Sequence, residues 1–480
     1  LPNSRASEPT AEAKEDVMAV PSPYHGTKLT VGQQVAISAY WFATNFLWGA
    51  LLVIMLPEEI KAIAPSYRVT ALGALTGIAA VVALLVPLIV GALSDRCMST
   101  MGRRRPYIIA GVLVNLIGIG LMAWAFATRT PVTGPSDLGY WGIIGKLLSN
   151  QTFLLFLSAY MLVQLGNNIA SAAYSGVIPD LVPADQRGRA SGYMALMSQM
   201  GTLVGGVVCG VLIHSSGTSP AAITSTETMR FVALGAVLAA VALITILGIR
   251  ETPLDCRPQN IRWGEYVKSL WIDPRKYPDF AWVWITRAMV MLGFYAVLPF
   301  INYYFTDVIG VPDKDVSLTA TALMGVILIT SSISGILGGY VSDKIGRKKV
   351  VYIANAAIAL MSIFFIFCRT VPQTMLVGAL FGLGFGAYTS VDWALGTDVL
   401  PTKSNAAKEM AVWHIAMTLP QSIAAPLSAA LIAAFGMTVS QGHDGPVAHY
   451  TIPGYSAVFA LCAVCFAAGA YFLKNVRGVK

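Results

Sequence analysis

The chain has 480 residues, 56% hydrophobic and 12% charged, with 32 Lys and Arg against 24 Asp and Glu for a net charge of +8. Ordinary soluble domains carry about 25% charged residues, so a chain this poor in charge cannot coat a soluble fold of its size. Its apolar residues fall in blocks of about 20, the length of a helix that crosses roughly 30 Å of hydrocarbon. That selects an all-α membrane protein and excludes an outer-membrane barrel, whose strands read as short alternating segments.

Residues 1–30 are polar and contain proline, which predicts a disordered lead-in. Twelve apolar spans follow. Span 1 (34–56) carries Tyr40, Thr44, Asn45 and Trp48, and span 2 (69–94) ends in Gly91-Ala92-Leu93-Ser94-Asp95-Arg96 before Gly102-Arg103-Arg104-Arg105-Pro106. Span 3 covers 107–128. Span 4 (152–178) places Tyr160, Gln164, Asn167, Asn168, Ser171 and Ser175 at steps of three and four, one face of a helix. Such a stripe cannot face lipid, so it lines a cavity or bonds a neighbouring helix. Spans 5 (190–213), with Ser198 and Gln199, and 6 (229–249) complete a six-helix half at 31–249.

A polar linker, 250–279, leads to a second half at 280–480. Span 7 (280–305) contains Arg287. Span 8 (316–341) ends in Gly339-Tyr340-Val341-Ser342-Asp343-Lys344-Ile345-Gly346-Arg347-Lys348-Lys349, the same device as after span 2. A basic turn repeated at one place in two halves is an internal repeat. Span 9 covers 350–369. Span 10 (373–397) holds Tyr388, Thr389, Asp392 and Trp393, span 11 (408–435) holds His414, and span 12 covers 454–473.

With both tails, the linker and the even-numbered turns on one side, that side holds 24 of the 32 basic residues. The asymmetry predicts cytoplasmic termini and makes the net positive charge a topology signal, not a nucleic-acid footprint. The six cysteines are scattered singly, mostly in apolar runs, and read as small core residues. No metal-ligand pattern, cofactor motif or Walker sequence is present. Gly382-x-Gly384-x-Gly386 lies within an apolar span and lacks the strand–turn–helix context of a nucleotide loop.

Six plus six spans, a linker and the repeated turn resemble the major facilitator superfamily. Ser-Asp-Arg, five residues, then Gly-Arg-Arg-Arg-Pro resembles the sucrose-transporter branch of the glycoside–pentoside–hexuronide cation symporters, as does Gln164-Leu165-Gly166-Asn167-Asn168 followed by Pro179-Asp180-Leu181-Val182-Pro183. The resemblance implies two pseudo-symmetric six-helix halves that rock about a central site. It also implies a gate at Asp95, Arg103, Asp343 and Arg347 that latches the halves in the outward-open state; the other reading of these turns is topology alone. Relatives carry an acidic residue where this chain has Gln164. Gln takes up no proton, so either coupling has moved elsewhere or the protein is a facilitator.

Arg287 stands about 8 residues, roughly 12 Å, along span 7, and Asp392 about 6 residues, roughly 9 Å, from the same end of span 10. His414 falls at a similar depth. Uncompensated charge in hydrocarbon is costly, which predicts that Arg287 and Asp392 pair. The pair is either a permanent structural link or a proton site tuned by His414. On this reading the second half holds the only clear intramembrane charges.

Amides and hydroxyls interleaved with Trp and Tyr suit a sugar, because amides bond hydroxyls in pairs and aromatic faces cover the C–H face of the ring. The expected substrate contacts are Asn45, Trp48, Gln164, Asn167, Asn168, Gln199, Tyr388 and Trp393. The reading is a monomeric secondary transporter in the plasma membrane, or the inner membrane if the chain is bacterial, that moves a neutral sugar, a disaccharide such as sucrose or maltose, with protons. An uncoupled facilitator or an exporter of amphipathic molecules is the alternative. Sodium coupling usually wants several carboxylates together. An intramembrane enzyme would need a nucleophile–base pair or metal cluster, and would not need two matched turns.

Overall fold

The computed structural model describes residues 28–477 apart from 134–137, 184–185, 214–218, 254–261, 270, 400–405 and 443–444. The expected lead-in falls mostly outside these residues, as does part of the expected linker. Twelve helices are long and apolar enough to cross a membrane. The first six are α1 (Val31–Ile63), α2 (Pro65–Ser94), α3 (Arg105–Ala127), α4 (Gln151–Ser175), α5 (Arg189–Leu212) and α6 (Ala221–Gly248). The second six are α7 (Pro278–Ile309), α8 (Asp313–Ile345), α9 (Arg347–Phe367), α10 (Val371–Asp398), α11 (Ala406–Gly436) and α12 (Ile452–Leu473). A two-stranded antiparallel hairpin, β1 (Met437–Gly442) and β2 (Gly445–Tyr450), joins α11 to α12, with Met437 opposite Tyr450.

The helix ends agree with the sequence reading to within four residues, except at the end of α1 and the start of α6. Apolar periodicity stops there, but the helices do not. In α1, Pro57 has no N–H to give. Leu51–Met55 form a π turn in which the N–H of Leu56 reaches back to the carbonyl of Leu51, and the helix runs on to Ile63. In α6, the Ser219 hydroxyl caps the first turn by accepting from Ala222 N at 3.2 Å, and Pro220 sits where a missing N–H costs nothing. The polar residues that follow are satisfied inside the helix: Thr226 and Thr228 donate to the carbonyls of Ala222 and Thr224 at 3.0 and 2.8 Å.

Helix pairings repeat between the halves. Helices α1·α5, α2·α4, α3·α4, α3·α6 and α1·α6 pack together, and so do their counterparts six helices on, α7·α11, α8·α10, α9·α10, α9·α12 and α7·α12. Small residues set the closest approaches. A Cβ on Gly166 of α4 would stand 2.3 Å from the Asn115 backbone of α3, and one on Gly386 of α10 would stand 2.0 Å from the Ser331 carbonyl of α8. Between the halves, α2 packs on α11 and α5 on α8, again equivalent pairs.

Candidate transport site and its two ends

Helix α4 brings its polar residues together as its periodicity requires. Gln164 donates to the Tyr160 hydroxyl at 3.1 Å, and Asn168 donates to Gln164 through the backbone carbonyl at 2.8 Å and the side-chain oxygen at 3.3 Å. Trp48 of α1 meets Tyr160 edge-on, ring centres 6.4 Å apart. These side chains are partly accessible, apart from the fully buried Tyr160. Asn45 donates to the Trp41 carbonyl of its own helix at 2.8 Å. Adjacent residues on a helix diverge by about 100°, so Asn167 turns away from Asn168. It is buried, and its side-chain oxygen has no hydrogen-bond partner among the described residues. Gln199 is exposed and donates across the halves to Ser332 of α8 at 3.4 Å.

In the second half, Arg287 of α7 and Asp392 of α10 form a buried ion pair, each 3% exposed. Tyr388, one turn before Asp392, donates its hydroxyl to the other carboxylate oxygen at 2.9 Å. The Arg287 guanidinium also lies over the Trp413 ring of α11, 4.9 Å from its centre. The described side chains do not include Trp393 and His414, so their part in this group lies outside the structure's account. Trp413, which the sequence reading did not single out, occupies the place beside Arg287.

At the end carrying the basic turns, Arg104 is the hub. It is 7% exposed and reaches Asp95 at 2.5 Å, Asp180 at 3.0 Å and the Ser94 hydroxyl at 2.7 Å. Arg103 binds the other oxygen of Asp180 at 2.8 Å. Burial disfavours the Arg104 cation, but the Asp95 and Asp180 carboxylates more than offset it and raise its pKa. Glu251, just past α6, accepts the backbone N–H groups of Arg104 at 2.9 Å and Arg105 at 3.1 Å. It thus caps the positive end of α3 from the segment that follows α6. Burial pushes the Glu251 carboxyl up, and these two N–H groups pull partly against that. Nothing in the periodicity marked Arg104 or Glu251, because both lie in turns outside the apolar runs. In the second turn, Arg347 opens α9 directly after Gly346, while the Asp343 side chain lies outside the described residues.

The opposite end closes the halves against each other. Lys61 of α1 binds Asp313 of α8 at 2.6 Å, Arg68 of α2 binds Asp307 of α7, and Ser317 of α8 donates to Glu58 of α1. The Tyr303 hydroxyl of α7 donates to the Pro57 carbonyl at 2.7 Å, and Tyr450 of β2 to the Ser66 carbonyl at 3.3 Å. Buried charge is not confined to the second half, as the sequence reading held. Glu59, Glu227 and Arg230 are 0%, 2% and 2% exposed in α1 and α6.

The family model described as Major Facilitator Superfamily matches residues 35–407 and 283–478. The chain belongs to this superfamily. Its membership makes the protein an integral membrane transporter and not an enzyme. The solved D-xylose-proton symporter superposes with a TM-score of 0.65 over 93% of this chain and 98% of that one, at 16% identity, a likeness of fold alone. Among curated relatives, sucrose transport protein SUC4 of Arabidopsis thaliana is 30% identical over 130 residues, 25% of this chain and 22% of that protein. Efflux pump azaK of Aspergillus niger is 26% identical over 145 residues, 30% of this chain and 31% of that protein. The matched stretch thus spans less than a third of either relative.

Proposed function

We propose that this superfamily member carries a neutral sugar, of disaccharide size such as sucrose or maltose, together with protons. The observation that carries the reading is chemical. One half presents a neutral face of Gln164, Asn168, Tyr160 and Trp48, and the other holds a buried carboxylate, Asp392, bound by Arg287 and Tyr388. Amides and an indole suit hydroxyls and ring C–H groups, and a buried carboxylate with a releasable partner suits a proton. The likeness to a sucrose transport protein and to the fold of a D-xylose-proton symporter supports the same reading.

In this account Asn45, Asn167, Gln199, Tyr388 and Trp393 complete the substrate surroundings, and His414 tunes Asp392. The gate is formed by Asp95, Arg103, Asp343 and Arg347 on the cytoplasmic side of the plasma membrane, where both termini lie and where basic residues concentrate. One six-helix unit (31–249) rocks against the other (280–480) across the linker, and a single chain suffices. The seal between α1–α2 and α7–α8 then makes this the inward-facing state. One observation favours a facilitator instead: Asp392 is fully engaged by Arg287 and Tyr388, and Gln164 holds no proton. The match to an efflux pump keeps export open as a direction.

The test is uptake of labelled sucrose and maltose into proteoliposomes, with and without an inward proton gradient. Symport requires gradient-driven accumulation that Asp392→Asn abolishes while downhill exchange survives. Equilibration that ignores the gradient makes the protein a facilitator.

A further inference from the structure

Around Arg230, the sealed end packs more carboxyls than that arginine can neutralise. Arg230 of α6 gives Nη1 to Glu58 at 2.5 Å and to Glu227 at 2.6 Å, and its Nε to the Ile213 carbonyl at 3.1 Å. Glu59 adds a third carboxyl with no exposure. Among the described residues no donor reaches either of its oxygens, nor the second oxygen of Glu227. Among its charged neighbours, Glu227, a like charge, acts on Glu59 most strongly.

Two neighbouring buried carboxyls escape mutual repulsion when one of them carries a proton. With all three ionised, the carboxyls would outnumber Arg230 by two, and Glu59 and Glu227 lie shut from water although the Glu58 side chain is 31% exposed; buried groups avoid such an arrangement by neutralising. The other charged and titratable groups around Glu59 do not remedy this. Lys61 is taken by Asp313 and Arg68 by Asp307. Arg129, within electrostatic reach of Glu227 and Glu59, gives Nη1 to the neutral Phe126 carbonyl and Thr224 hydroxyl, so it offsets at most one of those two charges. Cys209 of α5 and Tyr303 of α7 bring no positive charge.

We propose that Glu59 and Glu227, with Arg230 and Glu58, form a proton-binding site that locks the two halves together at this end. The link to the other half is direct, because the Glu58 oxygen not used by Arg230 accepts the Ser317 hydroxyl of α8. Next to it, α5 and α8 are in contact: a Cβ on Gly210 would stand 2.2 Å from the Thr321 hydroxyl. Moving α8 away removes the Ser317 donor and lets water reach the carboxyls, which then ionise. The proton therefore binds more tightly to the sealed form than to the open one. By linkage, acid holds the seal shut and alkali releases it. The proton enters and leaves from the same end, so it biases the conformational equilibrium without being carried across. This inference goes beyond the sugar reading and does not rest on it.

The test uses the full chain in nanodiscs without any sugar. Native Cys97 and Cys256 are replaced by Ser, and nitroxide labels are placed at Trp141→Cys and Lys314→Cys. Both sites are exposed, and they lie in different halves at the sealed end. Pulsed spin-label distances are recorded between about pH 6 and pH 9. Linkage to one proton changes the ratio of open to sealed forms by up to about tenfold per pH unit. Glu59→Gln and Glu227→Gln, which mimic the protonated carboxyl, should each flatten the response to less than about twofold with the sealed distance retained. An infrared pH titration of the parent should show a protonated-carboxyl band at neutral pH that either Gln variant removes. A parent with no pH response, a response that survives both Gln variants, or absence of the band overturns the proposal. None of these readouts depends on whether any sugar is transported. If one Gln variant fails to fold, the other and the parent band still decide it.

Discussion

Gly102 and Gly346 share a positive φ, +97° and +98°, in corresponding turns of the two halves. L-residues with a Cβ resist this conformation at a cost of about 1–2 kcal/mol, so both turns use glycine to redirect the chain before an arginine. The surroundings differ. A Cβ on Gly102 would stand 2.3 Å from the Cβ of Glu251. Gly102→Ala should therefore lower the thermal midpoint more than Gly346→Ala, since it adds displacement of the α3 cap to the backbone cost. Fluorescence-monitored unfolding in detergent checks the order; equal effects would mean that Glu251 moves aside freely.

Arg104 serves two carboxylates and a hydroxyl at once, and only a planar fork reaches all three. Arg104→Lys should behave more like Arg104→Ala than like the parent, with either variant losing about 1.5–3 kcal/mol from each charged hydrogen bond removed. Asp95→Asn, which leaves Asp180 in place, should cost less than Asp180→Asn, which takes a carboxylate partner from both Arg103 and Arg104. Thermal midpoints of the four variants make the comparison. For the gate reading, Asp95→Asn with Asp343→Asn should shift cysteine accessibility toward the inward-open form.

Breaking one side of the Arg287–Asp392 pair leaves a buried charge behind, a cost of about 3–5 kcal/mol, whereas replacing both partners by apolar residues is often neutral. Arg287→Leu and Asp392→Leu should each be poorly stable, and the double variant should recover most of the loss. A double variant that is stable but transports nothing separates the pair's functional part from its structural one. Additive losses would show that Arg287 depends on Trp413 more than on Asp392.

Glu251 gives a pH prediction with a defined sign. Its carboxyl pKa is raised in the folded protein, so the fold binds that proton more tightly than the unfolded chain. The associated stability is complete below the unfolded value of about 4.3 and is lost as pH rises through the folded value. Glu251→Gln has no such titration. The stability of the parent relative to Glu251→Gln should therefore fall as pH rises from about 4 through that window and then level off. A difference that grows with pH would show that the capping N–H groups outweigh burial.

The twelve spans, the internal repeat and the polar face of α4 were legible because each rests on local rules. A helix in hydrocarbon needs about 20 apolar residues, and residues three and four apart share a face. The Arg287–Asp392 contact could also be inferred, since a charge in an apolar run demands a partner and these two stood at similar depth. The same local rules ended α1 at 56 and began α6 at 229, where charge returned. There the sequence was silent about burial. Glu58 and Glu59 look like an ordinary polar helix end, and so do Glu227 and Arg230. Only the packing of α1 against α6, with α8 laid across from the other half, removes Glu59, Glu227 and Arg230 from water. The sequence by itself determined how the chain crosses the membrane, because transfer into lipid is settled span by span. The tertiary structure decided which charges meet, whether at Glu59 and Glu227 or at Arg104 and Asp180, because solvation and pairing depend on neighbours that lie far apart along the chain.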